Sequence, residues 1–193
     1  EIKSGKKFYD WKVPKEWNVK DAYIKSNGKK IIDFKNHNLH LIGYSTPFRG
    51  ILKKKELMKH IHTLPKQKNA IPYVTSYYKK DWGFCIKEKK KKKLKNGIYK
   101  VLIDSNFTKG NLECSHAILK GKSKKEIFFS SYVCHPSMAN NELSGPALLN
   151  AIMLYIKKNY KKSYYTYRFF LGPETIGSIS YLSKYKNIMK KNI

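Results

Sequence analysis

Residues 128–145, FFSSYVCHPSMANNELSG, decide how this chain is read. The opening of this stretch is apolar or small and favours extended backbone, so it predicts a strand buried on both faces, with His135 delivered at its carboxyl end. Pro136 follows at once, then a short polar loop carrying Glu142, then Ser144-Gly145-Pro146 opening an apolar helical run. In open α/β sheets the loops beyond the carboxyl ends of strands converge over a rigid platform, and ligands and metals sit there. A histidine and a carboxylate in that place form the best candidate site in the chain.

Working toward the C-terminus, residues 146–160 (PALLNAIMLYIKKNY) predict a helix whose buried stripe is Leu148, Ile152, Leu154, Tyr155 and Ile156. Residues 164–171 (YYTYRFFL) predict a second buried strand, which ends in Gly172-Pro173-Glu174-Thr175, and residues 176–190 predict a second helix. The order strand, helix, strand, helix implies a parallel pair joined by a right-handed crossover, hence an α/β fold. His135 and Glu174 then stand at the carboxyl ends of neighbouring strands.

Working toward the N-terminus, the pattern turns to short antiparallel strands. Residues 8–19 mix aromatics with Pro14 and predict an irregular or edge segment. Asn27-Gly28 between two short runs is a strong hairpin signal. Alternation predicts a strand over 36–44, and helical spacing of Leu57, Met58 and Ile61 predicts a helix over 53–63. His60 and His62, two apart, point to different sides of that helix and read as surface histidines. Residues 70–86 predict two strands; 97–104 and 112–120 predict another pair, turned at Lys109-Gly110-Asn111. Residues 1–120 therefore read as a small β-rich domain and 121–193 as part of an α/β domain.

Composition bounds the function classes. At 41% apolar and 14% aromatic the chain is no disordered polymer. The formal charge of +28 suggests nucleic acid, yet all but two of its 41 basic residues are lysines, Arg49 and Arg168 being the exceptions. Nucleic-acid readers favour the bidentate arginine fork, and the aromatics here occupy strand positions that must fill a core. A basic nucleic-acid-binding module rests on charge alone and ranks third; no specific nucleic acid is expected. The densest run, residues 87–95 (KEKKKKKLK), reads as a solvated hairpin or loop rim. Cys85, Cys114 and Cys134 match neither a disulfide framework nor a zinc ribbon, so a reducing cytoplasm is the expected location. No apolar run approaches the roughly 20 residues that span a bilayer, so no membrane is expected. The chain starts at Glu1 and stops at Ile193 without a capping signal, which suggests a fragment of a longer protein.

A metallohydrolase needs imidazole and carboxylate ligands, an open coordination position, and a carboxylate base to deprotonate water. His135, Glu142 and Glu174 supply one imidazole and two carboxylates in the right region. Each also has a plain structural role open to it: a strand-end hydrogen bond, a charge near a helix N-terminus, an acid in a cap.

The stretches YVCHPSMANNELSGPAL and FFLGPETIGSISYLS resemble motifs of the M28-type zinc aminopeptidase-like family, often described as polysaccharide biosynthesis proteins with an aminopeptidase-like domain. DWKVPKEWNVKDAYI, DFKNHNLHLIGYSTP, TLPKQKNAIPYVTSYYKKDWGFC and YKVLIDS resemble the small domain inserted in the same family. The resemblance runs from residue 8 to about 182. It implies a mixed, largely parallel sheet with helices, a β-rich insertion, and a zinc site of one or two ions with His135 as ligand and Glu174 as general base. Asn141 stands where that pattern has a bridging carboxylate, with Glu142 beside it, and Thr175 stands where it has a second glutamate ligand. A further Asp and His ligand would lie beyond Ile193, so the chain alone is expected not to hydrolyse peptides. The implied function is metal-dependent hydrolysis of a small peptide, amide or glycoconjugate. The alternative is an inactive relative that binds a polysaccharide precursor.

Overall fold

The structure, a computed structural model, describes residues 1–135 and 138–193. Pro136 and Ser137, part of the loop expected after His135, lie outside the described residues. The chain is a mixed α/β protein with several small sheets, and it divides into two compact units: residues 14–108, and residues 1–13 with 109–193.

The unit at 14–108 is built on a four-stranded antiparallel sheet. Its strands are β1 (Glu16–Ser26), β2 (Lys29–Asp33), β3 (Phe48–Lys53) and β4 (Ile98–Thr108), in the order β2-β1-β4-β3. Asn27 and Gly28 close the β1–β2 hairpin with φ of 47° and 75°, the two positive values that a right-twisting tight turn requires. One sheet face buries Ala22, Ile24, Ile32, Val101 and Ile103 against Leu57, Phe84 and Ile86.

Several expectations in this unit change, and of the two strands expected over 70–86 the structure forms Phe84–Cys85 and an isolated bridge at Thr75. The segment 36–44 forms a single 3₁₀ turn (Asn38–His40) and two isolated bridges, because His37 Nδ1 accepts the Leu39 N–H and Tyr44 sits at φ 63°. The expected helix stops after Lys54–Leu57, passes through a 3₁₀ turn (Met58–His60) and becomes the strand Ile61–His62, which pairs in parallel with Phe84–Cys85. His60 is half-buried, its ring stacked 3.7 Å from Trp82 and its Nδ1 3.0 Å from the Trp82 carbonyl oxygen, so it is a packing residue. Residues 87–95 contain a short helix, Glu88–Lys92, with its lysines in solvent.

The second unit carries a three-stranded sheet of β5 (Ser115–Leu119), β6 (Glu126–Tyr132) and β7 (Thr166–Gly172), in the order β5-β7-β6. β6 and β7 are parallel, from Glu126 opposite Thr166 to Tyr132 opposite Gly172; β5 runs antiparallel to β7. Between β6 and β7 the chain forms helix α1 (Ser144–Asn159), and α2 (Ile176–Asn192) follows β7. Alternation along β7 separates the two faces. Phe169, with Phe129, packs on Leu149, Ile152, Met153 and Ile156 of α1, while Phe170, with Phe128, packs on Tyr181, Tyr185 and Met189 of α2.

The phase of α1 differs from expectation. Its inward face is Leu149, Ile152, Met153 and Ile156, the i, i+3, i+4, i+7 set, whereas Leu148, Leu154 and Tyr155 are 63%, 55% and 59% exposed. No helix among the described residues is long and apolar enough to cross a membrane.

Candidate metal centre

The parallel register puts the ends of β6 and β7 side by side, and each chain continues straight into a candidate residue. His135 follows Tyr132 by three positions and Glu174 follows Gly172 by two, so that His135 Nε2 lies 3.7 Å from Glu174 Oε2. Glu142 reaches the same point from the loop before α1. Asn140 and Glu142 both take positive φ, 71° and 69°, and the Ser144 N–H and hydroxyl close the loop on the Asn140 carbonyl at 3.0 and 2.6 Å. A Cβ on Gly145 would stand 2.2 Å from Ser131 Oγ and 3.4 Å from Ser131 Cβ, so a larger residue there requires the Ser131 hydroxyl to turn away.

The returning Glu142 carboxylate is 7% exposed and fully engaged. Oε1 accepts from His135 Nδ1 at 2.5 Å, and Oε2 accepts a short hydrogen bond from the Cys134 backbone N–H. Burial raises its pKa, but the hydrogen bonds from the His135 ring and from the Cys134 and His135 backbone outweigh burial and hold it below the usual carboxylate range. With Nδ1–H donating to Glu142, Nε2 is the ring nitrogen that faces Glu174. Carboxylate, histidine and a second donor in this order are the usual surroundings of a metal-bound imidazole.

Cys134 joins the cluster, which the sequence pattern did not show. Its sulfur lies 3.3 Å from His135 Nδ1 and 4.0 Å from Glu142 Oε1, and it accepts the Glu174 N–H at 3.3 Å. One donor atom each from Cys134, His135 and Glu174 all fall within 4.8 Å of one another. In an extended strand consecutive side chains point to opposite faces, so Cys134 and His135 read as opposed. The ladder ends at Tyr132, however, and beyond it the backbone is no longer bound to alternate. Burial pushes the Cys134 thiol up, partly offset by the Glu174 N–H and reinforced by the charges of Glu142 and Glu174.

The fourth side of the site opens into a cavity of about 560 Å³ lined by Val133, Cys134, His135, Met138, Ala139, Glu142 and Leu143. Glu174 has a side chain 57% exposed. Its neighbour Thr175 holds φ 59° and ψ −78° while the Ile176 N–H donates to the Glu174 carbonyl at 2.7 Å, which is the strained form of the γ-turn. Asn141 is turned to other partners: its Oδ1 accepts from the Tyr132 hydroxyl at 2.5 Å and its Nδ2 donates to Met138 sulfur at 3.8 Å.

Comparison with known proteins finds relatives named for peptidase and aminopeptidase-like domains. Residues 16–106 match the family described as a domain of unknown function, DUF2172. Over 191 residues the chain is 46% identical to a Clostridium acetobutylicum protein whose name ascribes to it polysaccharide biosynthesis and an aminopeptidase-like domain; the match covers 98% of this chain and 44% of that protein. A crystal structure from Clostridium acetobutylicum, described as a peptidase, superposes with a TM-score of 0.91 at 46% identity, over 100% of this chain and 45% of that one. The chain thus spans a little under half the length of the relatives it matches.

Proposed function

We propose that this chain carries part of the centre of an aminopeptidase-like, metal-dependent hydrolase. The observation that supports this most is His135 held by Glu142 at Nδ1 and faced by Glu174 at Nε2, over an open cavity at the carboxyl ends of two adjacent parallel strands. The donor set fits one divalent ion. Imidazole and carboxylate are zinc ligands, and the chain itself already occupies the second ring nitrogen of His135 through Glu142. A second ion has less support, since Asn141 offers no anion and is bonded to Tyr132.

His135 would donate through Nε2, and Glu142 would fix the tautomer and orientation of its ring. A divalent ion held there would act as a Lewis acid toward a carbonyl and acidify a bound water. Glu174, solvent-accessible beside Nε2, is placed to take a proton onto Oε2 and pass it to a leaving amine. Met138, Leu143 and Val133 give the cavity an apolar wall for the substrate, a small peptide, amide or glycoconjugate. Three free thiols, one of them in the centre, suit a reducing compartment such as the cytoplasm.

The test is metal content. After dialysis against zinc, a full-length relative should retain metal and its variant with alanine at the position equivalent to His135 essentially none, by mass spectrometry. Equal, near-zero zinc in both would refute the reading. In a full-length relative, replacing the glutamate equivalent to Glu174 with glutamine should abolish hydrolysis of aminoacyl anilides.

A further inference from the structure

We infer that Cys134 is a sulfur donor to the ion at this centre, so that the site selects thiophilic divalent cations such as zinc, cobalt and cadmium over magnesium, calcium or manganese. The inference rests on the metal reading above and adds to it the ligand that sets selectivity. Neighbouring donors of a tetrahedral zinc site are about 3.5 Å apart, as follows from metal–nitrogen and metal–sulfur bonds of about 2.1 and 2.3 Å. One donor atom each from Cys134, His135 and Glu174 lies within 4.8 Å of the others. The sulfur's 3.3 Å contact is with Nδ1, so a rotation of the Cys134 side chain toward Nε2 is what would bring it onto an ion there.

One further feature favours ligation. The Glu174 N–H donates to the sulfur, and such outer bonds orient a ligand and stabilise negative charge on it. The rival role, a cysteine nucleophile activated by histidine, fails on geometry. A nucleophile, a base and an orienting carboxylate need the two different nitrogens of the ring. Here the sulfur and Glu142 Oε1 both approach Nδ1, so the nitrogen that would take the thiol proton is the one held by Glu142. Thiolate with imidazole is a donor pair for zinc and its soft neighbours, whereas magnesium, calcium and manganese favour all-oxygen sites.

Cobalt(II) reports the sulfur directly. The wild-type chain loaded with cobalt should show a sulfur-to-cobalt charge-transfer band in the near ultraviolet. The band should vanish in Cys134→Ser and Cys134→Ala, with zinc affinity falling about ten-fold or more. Circular dichroism of both variants verifies that they fold, and cadmium should compete with zinc in the wild type far better than magnesium does. Cobalt bound to the wild type without the band would overturn the sulfur ligand while leaving the hydrolase reading intact. Failure of the wild type to take up cobalt or zinc would overturn both.

Discussion

Strands β6 and β7 carry a polar cluster at each end, and the two are built in opposite ways. Toward their amino ends, Arg168 is 3% exposed and forms a fork with Glu126, Nε to Oε2 at 2.5 Å and Nη2 to Oε1 at 2.8 Å. Its Nη1 donates to the Tyr181 hydroxyl at 3.1 Å, His116 Nδ1 meets the same hydroxyl at 2.9 Å, and Asn192 adds a contact to Glu126 at 3.4 Å. Each charge is matched inside the fold. Beyond the carboxyl ends, Cys134, His135 and Glu142 open on a cavity with Glu174 beside His135, and the backbone there holds three positive-φ residues, Asn140, Glu142 and Thr175. Buried, saturated networks specify a fold; open clusters on strained backbone are where proteins place chemistry. The same two strands thus supply rigidity at one end and a site at the other.

This contrast is most easily broken at Arg168. Arg168→Ala strands the Glu126 carboxylate in the interior and should cost about 3–5 kcal/mol in chemical denaturation, whereas the double change Arg168→Met, Glu126→Leu should cost far less. A single variant no less stable than wild type would remove the distinction between the ends. The pair also fixes a pH dependence. Hydrogen bonding to Arg168, against an opposing effect of burial, holds Glu126 below the ordinary carboxylate range. Its contribution is therefore complete above the unfolded value of about 4.3 and is lost as pH falls through the lower folded value. Glu126→Gln should flatten the acid limb of the stability curve below about pH 4. An unchanged acid limb would show that the pair is not formed in solution.

At the other end the loss should appear in metal binding. Glu142→Gln removes the anion from His135 Nδ1 and should weaken zinc about 10–100-fold by competition titration, as loss of such outer partners does elsewhere. Glu142→Asp, with its shorter reach, should recover part of that affinity only if the carboxylate's charge matters. Gly145→Ala tests the scaffold between the ends: the methyl group displaces only the Ser131 hydroxyl, 2.2 Å away, so the cost is about 1 kcal/mol at most and is offset in part by alanine's better helix propensity. A larger loss would show that the Ser131 hydroxyl has no room to turn away.

Much of this frame was legible in the sequence because length, period and punctuation agree there. The apolar runs of β6 and β7, the two helices between and after them, and the Asn27-Gly28 hairpin all announce themselves locally. Elsewhere local signals compete. Apolar residues surround α1, so its inward phase is set by contact with Phe129 and Phe169 and not by the helix's own pattern. Residues 36–44 alternate like a strand, yet a histidine cap and a positive-φ tyrosine turn them aside. At the candidate centre, the strand-end rule located His135 and Glu174, and the positive-φ loop brings Glu142 to them. Cys134 was hidden because strand alternation separates neighbours and the chain leaves the strand two residues earlier. The Arg168 network was hidden too, since nothing local distinguishes one buried arginine in a chain dominated by lysine.

The last predicted effect is also small and has the opposite sign. Thr175 is β-branched and holds φ 59° with ψ −78°, a conformation that costs about 1–3 kcal/mol. Glycine adopts it freely but loses about 0.5–1 kcal/mol through the extra freedom of its unfolded chain. Thr175→Gly should therefore stabilise the chain by about 1 kcal/mol in urea denaturation. The γ-turn is also what carries the chain from β7 into α2 with the Glu174 carboxylate facing His135. A more stable glycine variant that binds zinc normally would mean that the strain serves the position of Glu174 after metal binding, in the proton-transfer step. A more stable variant that binds zinc less tightly would mean that Glu174 helps hold the ion. A less stable variant would mean that the turn is relaxed, and the contrast between a strained carboxyl end and a saturated amino end would rest on the cavity and the loop before α1 alone.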